Sequence, residues 1–147
     1  LMDDFMMCAT MGLNGFIALG VTEDWSTHMI GHEITALTGL THGHTLAIVL
    51  PGTMWVLREP KKGKLLQLGA RVFGITSGTE EERIEKTIQK TEAFFRSLGL
   101  TTRLHEENIG TTVIEEIEKR FNERQVHFGE DGLVDGKTAK EILERVR

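Results

Sequence analysis

Residues 24–51 read DWSTHMIGHEITALTGLTHGHTLAIVLP and carry four of the chain's six histidines, His28, His32, His42 and His44. His28 and His32 stand four apart, a spacing that puts two side chains on one face of an α-helix. Gly39 can adopt the left-handed backbone that closes a helix, so the spacing predicts a helix ending near it. The chain then turns, and His42 falls where the next helix begins. An imidazole at one helix start is thereby brought towards imidazoles on the helix before it, an arrangement that reads as part of a metal site.

The helix that bears this pair is predicted over about Glu23 to Leu37, with Thr22 or Asp24 as its N-cap and acidic residues at the positive end of its dipole. Ile30, Ile34 and Leu37 lie opposite the histidines, so both sides are expected to be covered. A third helix, about His44 to Leu57, contains Pro51, which is expected to kink or split it. Upstream, LMDDFMMCATMGLNGFIALG is apolar nearly all round and is expected to pack on several sides, with Cys8 as a buried inert thiol. A chain that opens in such a helix reads as a piece of a longer polypeptide or a processed product.

The remainder reads as scaffold. KKGKLLQLGARVFGI sets Leu65, Leu68 or Gly69, Val72 and Ile75 on one face. Thr79 and Glu82 form a Thr-x-x-Glu capping box, followed by a stripe of Ile84, Ile88, Thr91, Phe95 and Leu98. Thr112 and Glu115 repeat the box before VIEEIEKRF. Asp131-Gly132 marks a turn, and KTAKEILERV is a short closing helix. No sustained period-2 alternation and no internal repeat appears. The fold class is all-α, a helical bundle of six or seven helices.

A length of 147 residues allows one compact domain. A net charge of -5 with no basic cluster argues against nucleic acid or acidic membrane as a partner. No apolar run reaches spanning length and no signal peptide opens the chain, so a soluble cytoplasmic protein is expected.

Neutral imidazole binds Zn, Fe, Ni and Cu alike. A helical i, i+4 pair is equally compatible with hydrogen-bonded core histidines, and the residues alone leave both readings open. His32-Glu33 begins like a zinc-protease helix, but Ala36 stands where His-Glu-x-x-His needs its second histidine. No Gly-rich phosphate loop occurs, and no hydroxyl or thiol has a base at an activating spacing. His105 and His127 lie in polar segments and read as solvated. Trp25 reads as core or as the wall of a substrate entrance.

THMIGHEITALTGLTHGHTLAIVLP resembles the signature of the iron-dependent (group III) alcohol dehydrogenases, in particular the butanol dehydrogenase and broad-range aldehyde reductase branch. The residues that carry the resemblance are His28, His32 and His42, with Gly31, Ala47 and Leu50-Pro51. It extends to ATMGLNGFIALGV upstream and to GKLLQ, ERI and FFRSLGL downstream, nearly the whole chain.

The resemblance implies that residues 1–147 are the all-helical, metal-binding C-terminal domain of a two-domain dehydrogenase whose N-terminal dinucleotide-binding domain lies outside this chain. It implies a divalent metal, Fe or Zn, held by His28 and His42 together with an aspartate and a histidine from upstream sequence. His32 maps to a histidine close to the nicotinamide, a proton-relay or positioning group. NAD and NADP are not distinguished, because the coenzyme loop belongs to the missing part. The implied substrates are primary alcohols or aldehydes, the implied assembly of the full-length enzyme is a homo-oligomer, and the chain alone is expected to be inactive. His44 departs from many relatives and either tunes the site or, as the favoured reading, hydrogen-bonds at the helix start. Phe16 and Trp25 are candidates to shape the substrate pocket. Two rival readings are a non-catalytic helical module with a structural metal or none, used for assembly, and a metal-dependent hydrolase. The hydrolase reading suffers from having no carboxylate near the histidines except Glu33.

Overall fold

The computed structural model describes residues 1–147 and is entirely helical. Seven α-helices follow one another: α1 Met2–Leu13, α2 Ser26–Thr38, α3 His42–Val56, α4 Lys62–Phe73, α5 Glu80–Ser97, α6 Thr111–Glu123 and α7 Gly136–Arg145. Short 3-10 turns occur at Phe16–Ala18, Leu104–Glu107 and Glu130–Gly132. The one β-type pairing is an isolated antiparallel bridge between Phe128 and Val134.

α3 is the centre of the bundle because its sequence is apolar on every side, and a helix of that kind is stable only when covered all round. It packs against α2, α5 and α7. Ile48, Val49 and Leu57 join Ile30 and Ile34 of α2 and Ile114, Ile117 and Phe121 of α6 in the larger core. Its other side, with Met54, meets Leu65 of α4 and Ile84 and Ile88 of α5 in a second cluster. Truncating fully buried side chains such as Ile30 or Ile48 costs about 2–5 kcal/mol in cores of this type. Pro51 is buried within α3 and does not divide it. The proline lacks an N–H to donate to the preceding turn, yet α3 remains one element because its neighbours hold it on three sides.

Local sequence rules set several boundaries. Gly39, at φ 77°, terminates α2, and its N–H donates to the Thr35 carbonyl at 2.9 Å. Thr79 and Glu82 form the reciprocal capping box at the start of α5. Asp135 caps α7 by accepting from the Thr138 N–H at 2.8 Å.

Other expectations are corrected. α6 starts at Thr111 with Gly110 at its N-cap and no side-chain cap, so the Thr112–Glu115 box does not form. α2 starts at Ser26, and neither Thr22 nor Asp24 occupies its N-cap, which is Trp25. The histidine side of α2 is not covered, since His32 and Ala36 are exposed. Val72 and Leu98 are also exposed, because α4 and α5 pack mainly on each other and on α3.

The largest difference lies in α1. It has no buried residue and packs chiefly on the Phe16–Ala18 turn, leaving Met2, Phe5, Met6, Met7 and Leu13 exposed. Cys8 is exposed with it. The helix expected from the apolar pattern forms, but its faces are not packed against the rest of the bundle.

Candidate metal centre

Two helices and one glycine assemble the histidine cluster. His28 and His32 project from successive turns of α2, and His42 is the first residue of α3. The helices close on each other at Gly31, where an added Cβ would lie 2.8 Å from Thr45 Oγ1, 3.2 Å from Leu46 Cδ2 and 3.5 Å from His42 Cε1. A side chain at this position would hold α3 away, so the missing Cβ is what lets His42 reach the face of α2. Thr45 steadies the start of α3 by donating its hydroxyl to the His42 carbonyl at 2.8 Å.

The three rings meet, with unequal geometry. His28 and His42 have centroids 5.2 Å apart and planes at 61°. His32 stacks on His42 at 4.0 Å with planes within 6° of parallel. His28 and His32 are 6.4 Å apart. An imidazole nitrogen binds metal along its lone pair, in the plane of the ring, at about 2.0–2.1 Å for zinc. Two parallel rings in a face-to-face stack cannot both point at one ion, whereas two inclined rings can. The stacked pair His32 and His42 is therefore unsuited to share an ion, whereas the inclination of His28 to His42 does not forbid it.

Hydrogen bonding and charge agree with this division. Both ring nitrogens of His42 are buried and have no hydrogen-bond partner. A buried polar atom without a partner is costly unless something else satisfies it. Burial pushes the His42 imidazole below its ordinary pKa, and the neighbouring His32 and His28 rings add to the shift. Burial lowers His28 as well, with a smaller contribution from His32. Both are held in the neutral form, the form that donates a lone pair to a metal. No set of three or more His, Cys, Asp or Glu side chains within the chain is placed to hold an ion by itself.

The remaining histidines serve elsewhere. His44 turns away from the cluster, and its Nε2 accepts the Thr101 backbone N–H at 3.2 Å beside the Glu107 carboxylate. It bonds to the loop after α5 rather than to its own helix start. His105 and His127 are exposed. Glu33 faces α6, where it pairs with Arg120 at 3.1 Å and with Arg124. It is a structural carboxylate and takes no part in the cluster, which removes the one nearby acid a hydrolase reading had.

Two features were not anticipated. Trp25 and His28 pack edge to face, with centroids 5.0 Å apart and planes at 73°. The start of α2 is tethered by Asp24, whose carboxylate accepts from the Ser26 N–H at 2.9 Å and pairs with Lys61, itself 3.2 Å from Glu130. Asp24 and Lys61 are too far apart in sequence for any local pattern to link them.

Comparison with known proteins gives this geometry a context. Residues 2–146 match the model of the Fe-containing alcohol dehydrogenase family, C-terminal. The chain is 41% identical over 143 residues to the NADPH-dependent aldehyde reductase YqhD of Escherichia coli, covering 97% of this chain and 37% of that protein. It is 32% identical over 119 residues to the NADH-dependent butanol dehydrogenase A of Clostridium acetobutylicum, covering 80% of this chain and 31% of the relative. The crystal structure of E. coli YqhD superposes with a TM-score of 0.93 over 97% of this chain and 37% of that one, at 41% identity. The NADH-dependent butanol dehydrogenase A of Thermotoga maritima superposes with a TM-score of 0.84 at 26% identity, over 94% of this chain and 37% of that one. The chain thus spans about a third of the length of the relatives it matches. With the match running from one end to the other, the chain belongs to the Fe-containing alcohol dehydrogenase family, in its C-terminal part.

Proposed function

We propose that this chain supplies the helical half of the active site of a metal-dependent alcohol dehydrogenase or aldehyde reductase. The observation that carries the reading is the inclined pair His28 and His42, 5.2 Å apart, with both nitrogens of His42 buried and unpartnered. Such a pair fits a divalent transition ion, Fe or Zn, and the ion needs further ligands from outside this chain. An upstream N-terminal domain of the same polypeptide, which also carries the dinucleotide site, is the proposed source of those ligands.

When bound, the ion supplies a Lewis acid for the oxygen of the alcohol or aldehyde, and NAD or NADP supplies the hydride chemistry. The residues of this chain do the rest. His28 and His42 would hold the ion, their rings set by α2 and α3. His32 is exposed and stacked on His42. From there it would position the nicotinamide and relay a proton at a ring nitrogen. The names of the relatives include both an NADPH-dependent aldehyde reductase and NADH-dependent butanol dehydrogenases, which supports a nicotinamide coenzyme and an alcohol or aldehyde substrate at the level of class. No helix here is long and apolar enough to cross a membrane. A cytoplasmic, homo-oligomeric full-length enzyme completes the reading on the family resemblance.

The test is metal content and alcohol oxidation, measured on the 147-residue chain and on the full-length polypeptide. The full-length protein is expected to hold metal and turn over, and the chain alone to do neither well. Turnover by the chain alone contradicts the shared site. The rival reading as an assembly module is excluded if His42→Ala abolishes metal and turnover in the full-length protein while the fold is retained.

A further inference from the structure

Histidine ligands to metals ordinarily have their second ring nitrogen bound to a carboxylate, a carbonyl or water, and that bond fixes the tautomer and the orientation of the ring. Within this chain both ring nitrogens of His42 are buried without such a bond. The histidine rings with hydrogen-bond partners are His44 and His105, both outside it. The nearest carboxylate on α2, Glu33, is committed to Arg120 and Arg124. The rings instead form an aromatic chain, running from Trp25 through His28 and His42 to His32.

We infer that Trp25 is a positioning residue for His28, orienting the imidazole by edge-to-face packing. This rests on the proposed metal reading. Aromatic pairs favour edge-to-face geometry because the positive edge of one ring meets the negative face of another. The pair of Trp25 and His28, at 5.0 Å and 73°, has that geometry. Position along the helix explains how Trp25 can do this. It is the N-cap residue of α2, three before His28, so the two side chains lie on one face. Its own freedom is restricted on both flanks. The indole N–H donates to Glu23 at 3.3 Å, and the adjoining Asp24 is tethered to Lys61. Trp25 is 41% exposed.

The test uses Co2+ binding to the full-length polypeptide, followed by absorbance, with unfolding midpoints recorded in parallel. Trp25→Ala is expected to weaken Co2+ binding about tenfold, the lower end of what loss of an orienting partner costs a metal site. Trp25→Phe keeps an aromatic edge and is expected to restore most of the affinity. Should the alanine variant fail to fold, Trp25→Leu, which fills space without an aromatic edge, takes its place with the same expectation. Unchanged affinity in Trp25→Ala or Trp25→Leu overturns the inference and leaves the metal reading intact. A phenylalanine variant as weak as alanine also overturns it. Wild-type protein that binds no Co2+, or binds it independently of His28, overturns the metal reading itself.

Discussion

The rings of His32 and His42 lie face to face, 4.0 Å apart and within 6° of parallel. That stack separates two histidines which helical spacing alone treats as equivalent. His28 and His32 both sit on one face of α2, yet only His28 presents an inclined ring to His42. His32 should therefore be dispensable for holding an ion and needed for turnover. In the full-length protein, His32→Ala is expected to keep its metal content and lose alcohol oxidation, measured by elemental analysis and steady-state kinetics on the same preparation.

Gly31 is the contact on which the cluster depends. In Gly31→Ala the new methyl lies 2.8 Å from Thr45 Oγ1, a group already bound to the His42 carbonyl and unable to swing away freely. Overpacking of this kind costs about 1–3 kcal/mol. Denaturant unfolding should show that loss, and metal affinity should fall with it because α3 carries His42 away.

Protonation of the cluster opposes folding. Both His28 and His42 are lowered in the fold, chiefly by burial, so the unfolded chain binds protons more readily than the folded one. Stability from these two rings is present above the ordinary imidazole value of about 6.5 and is lost as pH falls from there through the folded values. Chemical denaturation of the metal-free protein between pH 7 and pH 5 should show this decline, and replacing both rings by glutamine should flatten it.

Asp24 gives a second, more acidic dependence. Burial by itself raises its pKa, but the hydrogen bonds from Lys61 and Ser26 outweigh burial and hold the carboxyl below the ordinary aspartate value. Its contribution is present above that ordinary value, about 3.9, and is lost as pH falls through the lower folded value. Asp24→Asn should lower stability at pH 7 and reduce the slope of stability against pH below about 4, read by unfolding midpoints at each pH.

Thr79→Ala removes one arm of the capping box on α5. A loss of about 1 kcal/mol is expected, with no change at the distant histidines. Equal metal affinity in this variant provides the control for the changes above.

Much of the bundle was legible because its signals are local. The Gly39 stop, the Thr79 cap and the apolar α3 each depend on residues within a turn or two of one another. The meeting of His28, His32 and His42 was legible for the same reason, since a helix, a short turn and a helix start bring them together. Contacts between distant segments were not. The pairing of Asp24 with Lys61 and of Glu33 with Arg120 depends on how α2 lies against the rest of the bundle, which no spacing rule contains. The Thr112–Glu115 motif had the right letters, but α6 begins at Thr111, two residues too early for Thr112 to be its cap. α1 shows the opposite limit: its composition called for neighbours on several sides, yet it buries no residue.

Metal affinity of three single variants of the full-length protein, His28→Ala, His32→Ala and His42→Ala, tests the centre of this account. Equilibrium dialysis against Fe2+ or Zn2+ should show large losses for His28→Ala and His42→Ala and near wild-type binding for His32→Ala. A His32 variant that loses as much metal as the other two, or a His28 or His42 variant that keeps its metal, would contradict it.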